Sequence, residues 1–368
     1  MTELAAIREI RRLGLDAFCE TYAIGRVEAD GLISLKYNQA ESPMHEECVA
    51  DCRGLVVKAD DPTWVVAMAY RKFWNLGEKY AAPIDWASAR VMEKLDGSLI
   101  TMYWHEGRWC VASSGHPTAG GNYNGESEKT FAEAFWEAWA ELGYRTPGHG
   151  DRCLWYVFEF CAPANRIVVK YDKPRIVLHG ARHMDTFEEY SRDELAVFAD
   201  LHGWELVSEW DIRGEQPTPR WVTEAAAGTD PLALEGFVVV DRHFNRVKVK
   251  NPRYVEIHHL RGNRSPRAVV ELWKSGEDSE VLTHFPEMRP DFDAVINPIG
   301  DAVSRIRARW DMHGQERDRK SFALAVKDLP FASVLFKMYS AGGGDPLALV
   351  REMNTAAILK GLGLKEAA

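Results

Sequence analysis

Six charged side chains carry the chemistry this sequence offers: Lys94, Asp96, Glu159, Glu235, Lys248 and Lys250. Lys94 ends an apolar run, Arg90–Lys94, and Leu95 leads directly into the turn-forming pair Asp96-Gly97. A lysine amine attacks an electrophile only when neutral; a free one titrates near pH ~10.4, and burial or neighbouring cations lower that value. Glu159 sits inside the apolar run Trp155–Phe160, where an unpaired carboxylate is costly to bury, and Glu235 precedes another such run. Ionised carboxylates accept from hydroxyls and hold water on a hard cation. Lys248 and Lys250 alternate, so on a strand both project from one face. Plainer readings stand beside these: a solvated lysine at a hairpin turn, an exposed strand carboxylate, and a charged edge strand.

The elements that would position these residues are mostly strands up to about residue 260. Short β-branched and aromatic runs bounded by turn residues are Leu55–Lys58, Trp64–Tyr70, Arg90–Lys94, Ser98–Trp104, Trp109–Ser113, Leu154–Phe160, Arg166–Tyr171, Arg175–His179, Gly236–Asp241 and Arg246–Lys250. Asp96-Gly97 and Glu106-Gly107 read as turns that link three of them into a meander. Helices are expected over Thr2–Gly14 and Glu126–Leu142, the latter with Phe131, Phe135, Trp136 and Trp139 as a core-packing stripe. Without βαβ alternation the fold class is α+β with antiparallel sheets. From 261 onward the texture is helical. Ser265-Pro266 and Asp345-Pro346 are helix starts, Gly276 is a stop, and Asp301–Met312, Arg317–Asp328 and Phe331–Ser340 have helical spacing. The expected domains are therefore 1–260 and a small all-α domain over 261–368.

Composition narrows the classes. The chain has 368 residues, 46% of them hydrophobic, and a net charge of −10, which excludes coating nucleic acid by bulk charge. The excess acid lies before residue 261; beyond it Lys/Arg and Asp/Glu nearly balance. No apolar stretch suits a membrane span, and the start lacks the pattern of a signal peptide. Six unevenly spaced cysteines are no disulfide framework, and Cys48 with Cys52 lacks a second pair for zinc. A reducing cytoplasm is the expected location.

In order along the chain stand Glu47-Cys48-Val49-Ala50-Asp51-Cys52-Arg53-Gly54, Arg71-Lys72-Phe73-Trp74-Asn75, Glu93-Lys94-Leu95-Asp96-Gly97-Ser98, Phe158-Glu159-Phe160 with Asn165-Arg166-Ile167-Val168, Leu234-Glu235-Gly236-Phe237-Val238-Val239 and Val247-Lys248-Val249-Lys250. A lysine followed by x-Asp-Gly is the nucleophile motif of covalent nucleotidyltransferases. The ordered set, from about Tyr37 to Tyr254, resembles the RNA ligase 1 family typified by the phage T4 enzyme, whose members carry a helical domain after the catalytic one.

The resemblance implies an ATP-dependent RNA ligase that joins a 5′-phosphate to a 3′-hydroxyl through lysyl-AMP and RNA-adenylate intermediates. Lys94 is the residue adenylated, and Asp96 positions or polarises it. Arg53 binds the ribose or its phosphate, Lys72 the outer phosphates, and Tyr37 and Gly97 complete the ATP-binding set. Glu159 and Glu235 serve the ribose or Mg²⁺ (or Mn²⁺), directly or through water. Lys248 and Lys250 straddle the α-phosphate. One departure is that Ser113-Ser114-Gly115-His116 stands where the family often carries a lysine; with Ser114 in that place, one cationic phosphate or RNA contact is either absent or supplied elsewhere, His116 being the nearest source. Substrate choice is expected in the helical tail, with Arg261, Arg264, Arg267, Arg305 and Arg309 as RNA contacts; a solvated basic face is the plainer alternative. The expected partner is broken RNA, cleaved tRNA at the level of the family, in a phage-infected or bacterial cell. The sequence has no G-x-x-x-x-G-K-[ST] loop, so end-healing is assigned to a separate kinase/phosphatase. The rivals are a capping guanylyltransferase or DNA ligase, which usually carry a barrel where this tail reads helical, and a catalytically inactive RNA-binding module.

Overall fold

The computed structural model describes residues 3–123, 129–212, 214, 216–262, 264–276, 278, 281–282 and 285–364, the side chains of 259–262 and 275 excepted. The chain divides into two compact units, residues 1–255 and 256–368.

Among the described residues the first unit holds three sheets. Strands β1 (Ile24–Ala29), β2 (Leu32–Tyr37), β3 (Arg53–Lys58) and β4 (Val65–Ala67) pair in sequence order. β5 (Arg90–Lys94), β11 (Gly236–Val240) and β12 (Arg246–Lys250) form a three-stranded antiparallel sheet with β11 in the centre. β6 (Ser98–His105), β7 (Arg108–Ser113), β8 (Leu154–Cys161), β9 (Arg175–His183) and β10 (Glu205–Leu206) make a five-stranded sheet in the order β10-β9-β8-β6-β7, antiparallel except for the β10 edge. An aromatic inner face buries this sheet against two helices, Phe131–Glu141 and Arg192–His202. The α+β class with antiparallel sheets holds.

Two local expectations fail for physical reasons. Glu106-Gly107 does close a β6–β7 hairpin, both residues having positive φ. Asp96-Gly97 does not: β5 and β6 belong to different sheets, and the pair carries the chain from one to the other. Arg166–Tyr171 is not a strand either, because the Val168 and Val169 amides donate to the Asp96 carboxylate at 2.7 Å instead of to a ladder. The stretch expected over Trp64–Tyr70 pairs only across Val65–Ala67. The helix expected from Glu126 begins at Phe131 with a Thr130–Glu133 capping box, while 126–128 lie outside the described residues; its Phe135 and Trp139 pack on Phe158 and Trp204.

The second unit is helical. Ser265 caps Pro266–Ser275, which Gly276 closes in the left-handed conformation, and Asp345 caps Pro346–Arg351. The helix expected over Asp301–Met312 is the latter half of a 25-residue helix, Arg289–His313, that carries Pro298. Phe292, Ile299, Ile306, Phe322 and Leu335 are buried in this unit.

Candidate active site

The three-stranded sheet sets the first geometry. Its register places Lys94, Gly236 and Lys250 in one row across the strands, Met92, Val238 and Lys248 in a second, and Arg90, Val240 and Arg246 in a third. Gly236 has no side chain to separate the lysines beside it. It could carry none, since at φ 144° a Cβ would lie 2.2 Å from the Val249 carbonyl oxygen. Glu235, just before β11 and not on it, fills that space with charge: Lys94 Nζ donates to one carboxylate oxygen, and Lys250 Nζ stands 2.8 Å from the other. Burial pushes the Glu235 carboxyl up, but the two lysines outweigh it and hold the group below the usual carboxylate range.

The turn after Lys94 is fixed from behind. Asp96 is only 1% exposed. One carboxylate oxygen accepts the Val168 and Val169 amides and the other accepts the Tyr254 hydroxyl at 2.6 Å, while the Asp96 amide donates to Tyr171 Oη at 3.2 Å. Gly97 passes so close to β8 that a Cβ would meet the Phe160 carbonyl oxygen at 2.6 Å. Asp96 therefore does not face the cavity. Of the two expected roles, positioning or polarising, this geometry suits the first, since the carboxylate is turned away from the cavity by its own hydrogen bonds.

In front of Lys94 lies a cavity of about 520 Å³ between the three- and five-stranded sheets. Arg53, Lys94, Arg246, Lys248 and Lys250 line it, together with Glu159, Ser98, Gly97 and the wall Ser113-Ser114-Gly115. Arg53 starts β3, stands 5.1 Å over Phe73 and has a buried Nη1 without a hydrogen-bond partner; burial lowers its pKa. Lys248 lies 5.0 Å over the same ring. Burial, then the charges of Arg53, Lys94, Lys250 and Lys72, bring the Lys248 ammonium down to about 7. Partly buried cations held together in this way can neutralise a polyanion.

The remaining expected residues fall elsewhere. Lys72 donates to Gln39 at 2.9 Å, its ammonium 4.2 Å over the Tyr37 ring, and neither residue lines the cavity. His116 does not supply a replacement cation: its Nδ1 accepts from the Thr118 and Gly120 amides at 3.3 and 3.0 Å, and burial lowers its pKa. In the second unit Arg309 donates to the Ala325 carbonyl and Arg264 stands 3.5 Å from Asp291; both are held by their own chain. Arg305 lies one turn before Arg309 on the same helix, and Arg267 is on Pro266–Ser275. The Arg261 side chain lies outside the described residues.

Residues not foreseen also converge here. Tyr254 closes on Asp96 from the helix Pro252–Gly262. Arg246 continues the Lys248/Lys250 face by one more alternation, a signal present in Arg-Val-Lys-Val-Lys. Its guanidinium pairs with Glu189 at 2.5 Å and covers the Tyr70 ring at 4.4 Å.

Residues 51–254, more than half of the chain, match the family model for RNA ligases of the T4 RNA ligase 1 type. An RNA ligase of Rhodothermus phage RM378 is 25% identical over 382 residues, covering 84% of this chain and 86% of its own. A protein of Autographa californica nuclear polyhedrosis virus, described as a bifunctional polynucleotide kinase/RNA ligase, is 25% identical over 333 residues and 84% of this chain, which spans 45% of that protein. Among solved structures, an archaeal ATP-dependent RNA ligase aligns over 88% of this chain and 89% of its own, with 14% identity and a TM-score of 0.48. No helix among the described residues is long and apolar enough to cross a membrane. By the extent of the family match, the chain belongs to the RNA ligase family of the T4 RNA ligase 1 type.

Proposed function

We propose that this RNA ligase uses ATP, that Lys94 is the residue it adenylates, and that it seals a 5′-phosphate to a 3′-hydroxyl. The observation that carries the reading is the row Lys94–Gly236–Lys250, joined by Glu235 at the edge of a cavity holding Arg53, Lys248 and Glu159. The Lys94 amine forms a bond to the α-phosphorus and pyrophosphate departs. AMP then passes to the RNA 5′-phosphate, and the 3′-hydroxyl displaces it. Such transfers ask the protein chiefly for in-line placement and charge neutralisation. Lys248, Lys250 and Arg53 supply the charge, and the Asp96 anchor supplies the placement.

A divalent cation, Mg²⁺ or Mn²⁺, would be held by the nucleotide's own oxygens and by water, with Glu159 and Glu235 reaching it only through that water; both Glu235 oxygens are engaged by lysines. When bound, it offsets phosphate charge. No three His, Cys, Asp or Glu side chains among the described residues form a cation cage, which suits an ion whose other ligands are phosphate and water.

We assign RNA recognition to the helical unit, residues 256–368, with contacts drawn from Arg261, Arg264, Arg267, Arg305 and Arg309. A cleaved tRNA is the proposed natural substrate and a separate kinase/phosphatase the end-healing partner. Incubation with ATP labelled at the α-phosphate tests the first step: the native chain acquires label and Lys94→Ala acquires none. Label retained by Lys94→Ala removes the assignment. Sealing of 5′-phosphorylated single strands, nicked duplexes and a cleaved tRNA in parallel tests the substrate.

A further inference from the structure

Glu159 is not alone on its wall of the cavity. Opposite it on β9, the register jumps from Phe158↔Leu178 to Val157↔Gly180 and leaves His179 without a cross-strand partner. This bulge turns the imidazole into the cavity, where Nε2 stands 3.5 Å from Glu159 Oε2. Behind the ring lies Tyr70, stacked at 5.6 Å, whose close approach depends on Gly180 having no Cβ.

Tyr70 fixes the tautomer. Its hydroxyl oxygen is 2.8 Å from the His179 carbonyl oxygen and 3.0 Å from His179 Nδ1. A carbonyl only accepts, so the single phenolic proton goes to it. Nδ1 must then donate its own proton to the phenolic oxygen. In the neutral ring Nε2 is consequently an acceptor, and it is buried with no hydrogen-bond partner. It faces a second acceptor, the Glu159 carboxylate. Two converging acceptors in a cavity that admits nucleotide call for a ligand with two adjacent donors, and the cis-hydroxyls of a ribose are such a pair.

We propose that His179 Nε2 and Glu159 together read the two ribose hydroxyls of the nucleotide, so that His179 is a specificity residue for ribo- over deoxyribonucleotide. This rests on the reading of Lys94 as the adenylated residue.

The experiment measures lysyl-nucleotide formation by the full-length chain with ATP, 2′-deoxy-ATP and 3′-deoxy-ATP. It compares native protein with His179→Asn, which keeps a donor toward Tyr70 but has no atom at Nε2, and His179→Gln, which places an amide at Nε2. The native chain should prefer ATP to each analogue by about tenfold or more, the range a lost buried hydrogen bond produces. His179→Asn should bring one of the two ratios to within about threefold of unity and keep the other, and His179→Gln should restore it. Equal ratios in native and His179→Asn protein overturn the proposal, as does a native chain that labels equally with all three nucleotides. If the native chain forms no lysyl-nucleotide at all, it is the Lys94 reading that fails.

Discussion

Two groups of buried charge in the first unit follow opposite rules. Behind Lys94, the Asp96 carboxylate accepts two amides and a tyrosine hydroxyl, so its burial is compensated within the fold. In front of Lys94, Arg53 keeps a buried nitrogen without a partner, and burial first, then the neighbouring cations, bring the Lys248 ammonium down to about 7. The satisfied group fixes geometry. The unsatisfied group stores affinity, since an anion entering the cavity relieves what the folded chain leaves uncompensated. Glu235 stands between them, its single negative charge shared by Lys94 and Lys250.

The contrast can be broken most severely at Asp96. Asp96→Ala removes the carboxylate that two buried amides and the Tyr254 hydroxyl donate to and should cost about 3–5 kcal/mol in denaturant titration, with adenylation lost. A stability unchanged within about 1 kcal/mol would mean that the anchor is not structural. Gly236→Ala comes next. Its Cβ collides with the β12 backbone and spreads Lys94 from Lys250, and a shift of this kind lowers the adenylation rate about 100-fold. A rate within a few-fold of native would show that the row need not be so tight.

The cationic group is sharpened by pH. Below about 7 Lys248 is charged, and between 7 and the ordinary lysine range the folded chain has released a proton that the unfolded chain still holds. Stability from this residue therefore rises with pH across that window, and Lys248→Met should flatten the rise. Triphosphate binding favours the ammonium, so at pH 8 the complex should take up close to one proton, read from calorimetry in buffers of different ionisation enthalpy. Lys248→Met should abolish the uptake, and an uptake that persists in it would place the titration elsewhere. The smallest effect is expected in the helical unit. Neutralising Arg267 and Arg305 should weaken RNA binding and make its salt dependence shallower by about 2 in slope while leaving adenylation intact; an unchanged slope would assign those arginines to a solvated face.

What could be read from the sequence follows from how local each signal is. Lys248 and Lys250 share a face because strand alternation is local, and the caps at Ser265 and Asp345 need only their own helices. Asp96-Gly97 misleads because its conformation is decided by Val168, Val169 and Tyr254, 72 to 158 residues away. The β1–β2 hairpin carries a legible signal in Asp30-Gly31, both at positive φ, but β1 is mostly exposed and so shows no apolar alternation. His179 could not be found from pattern at all, since a bulge, not alternation, turns it inward.

The central claim is that the Lys94 amine captures an adenylyl group. Mass analysis of peptides from ATP-treated native protein tests it most directly. One added AMP is expected on the peptide containing Lys94, released by pyrophosphate or by 5′-phosphorylated RNA. AMP found on Lys248, Lys250 or any other residue, or none with Lys94 intact, would contradict it.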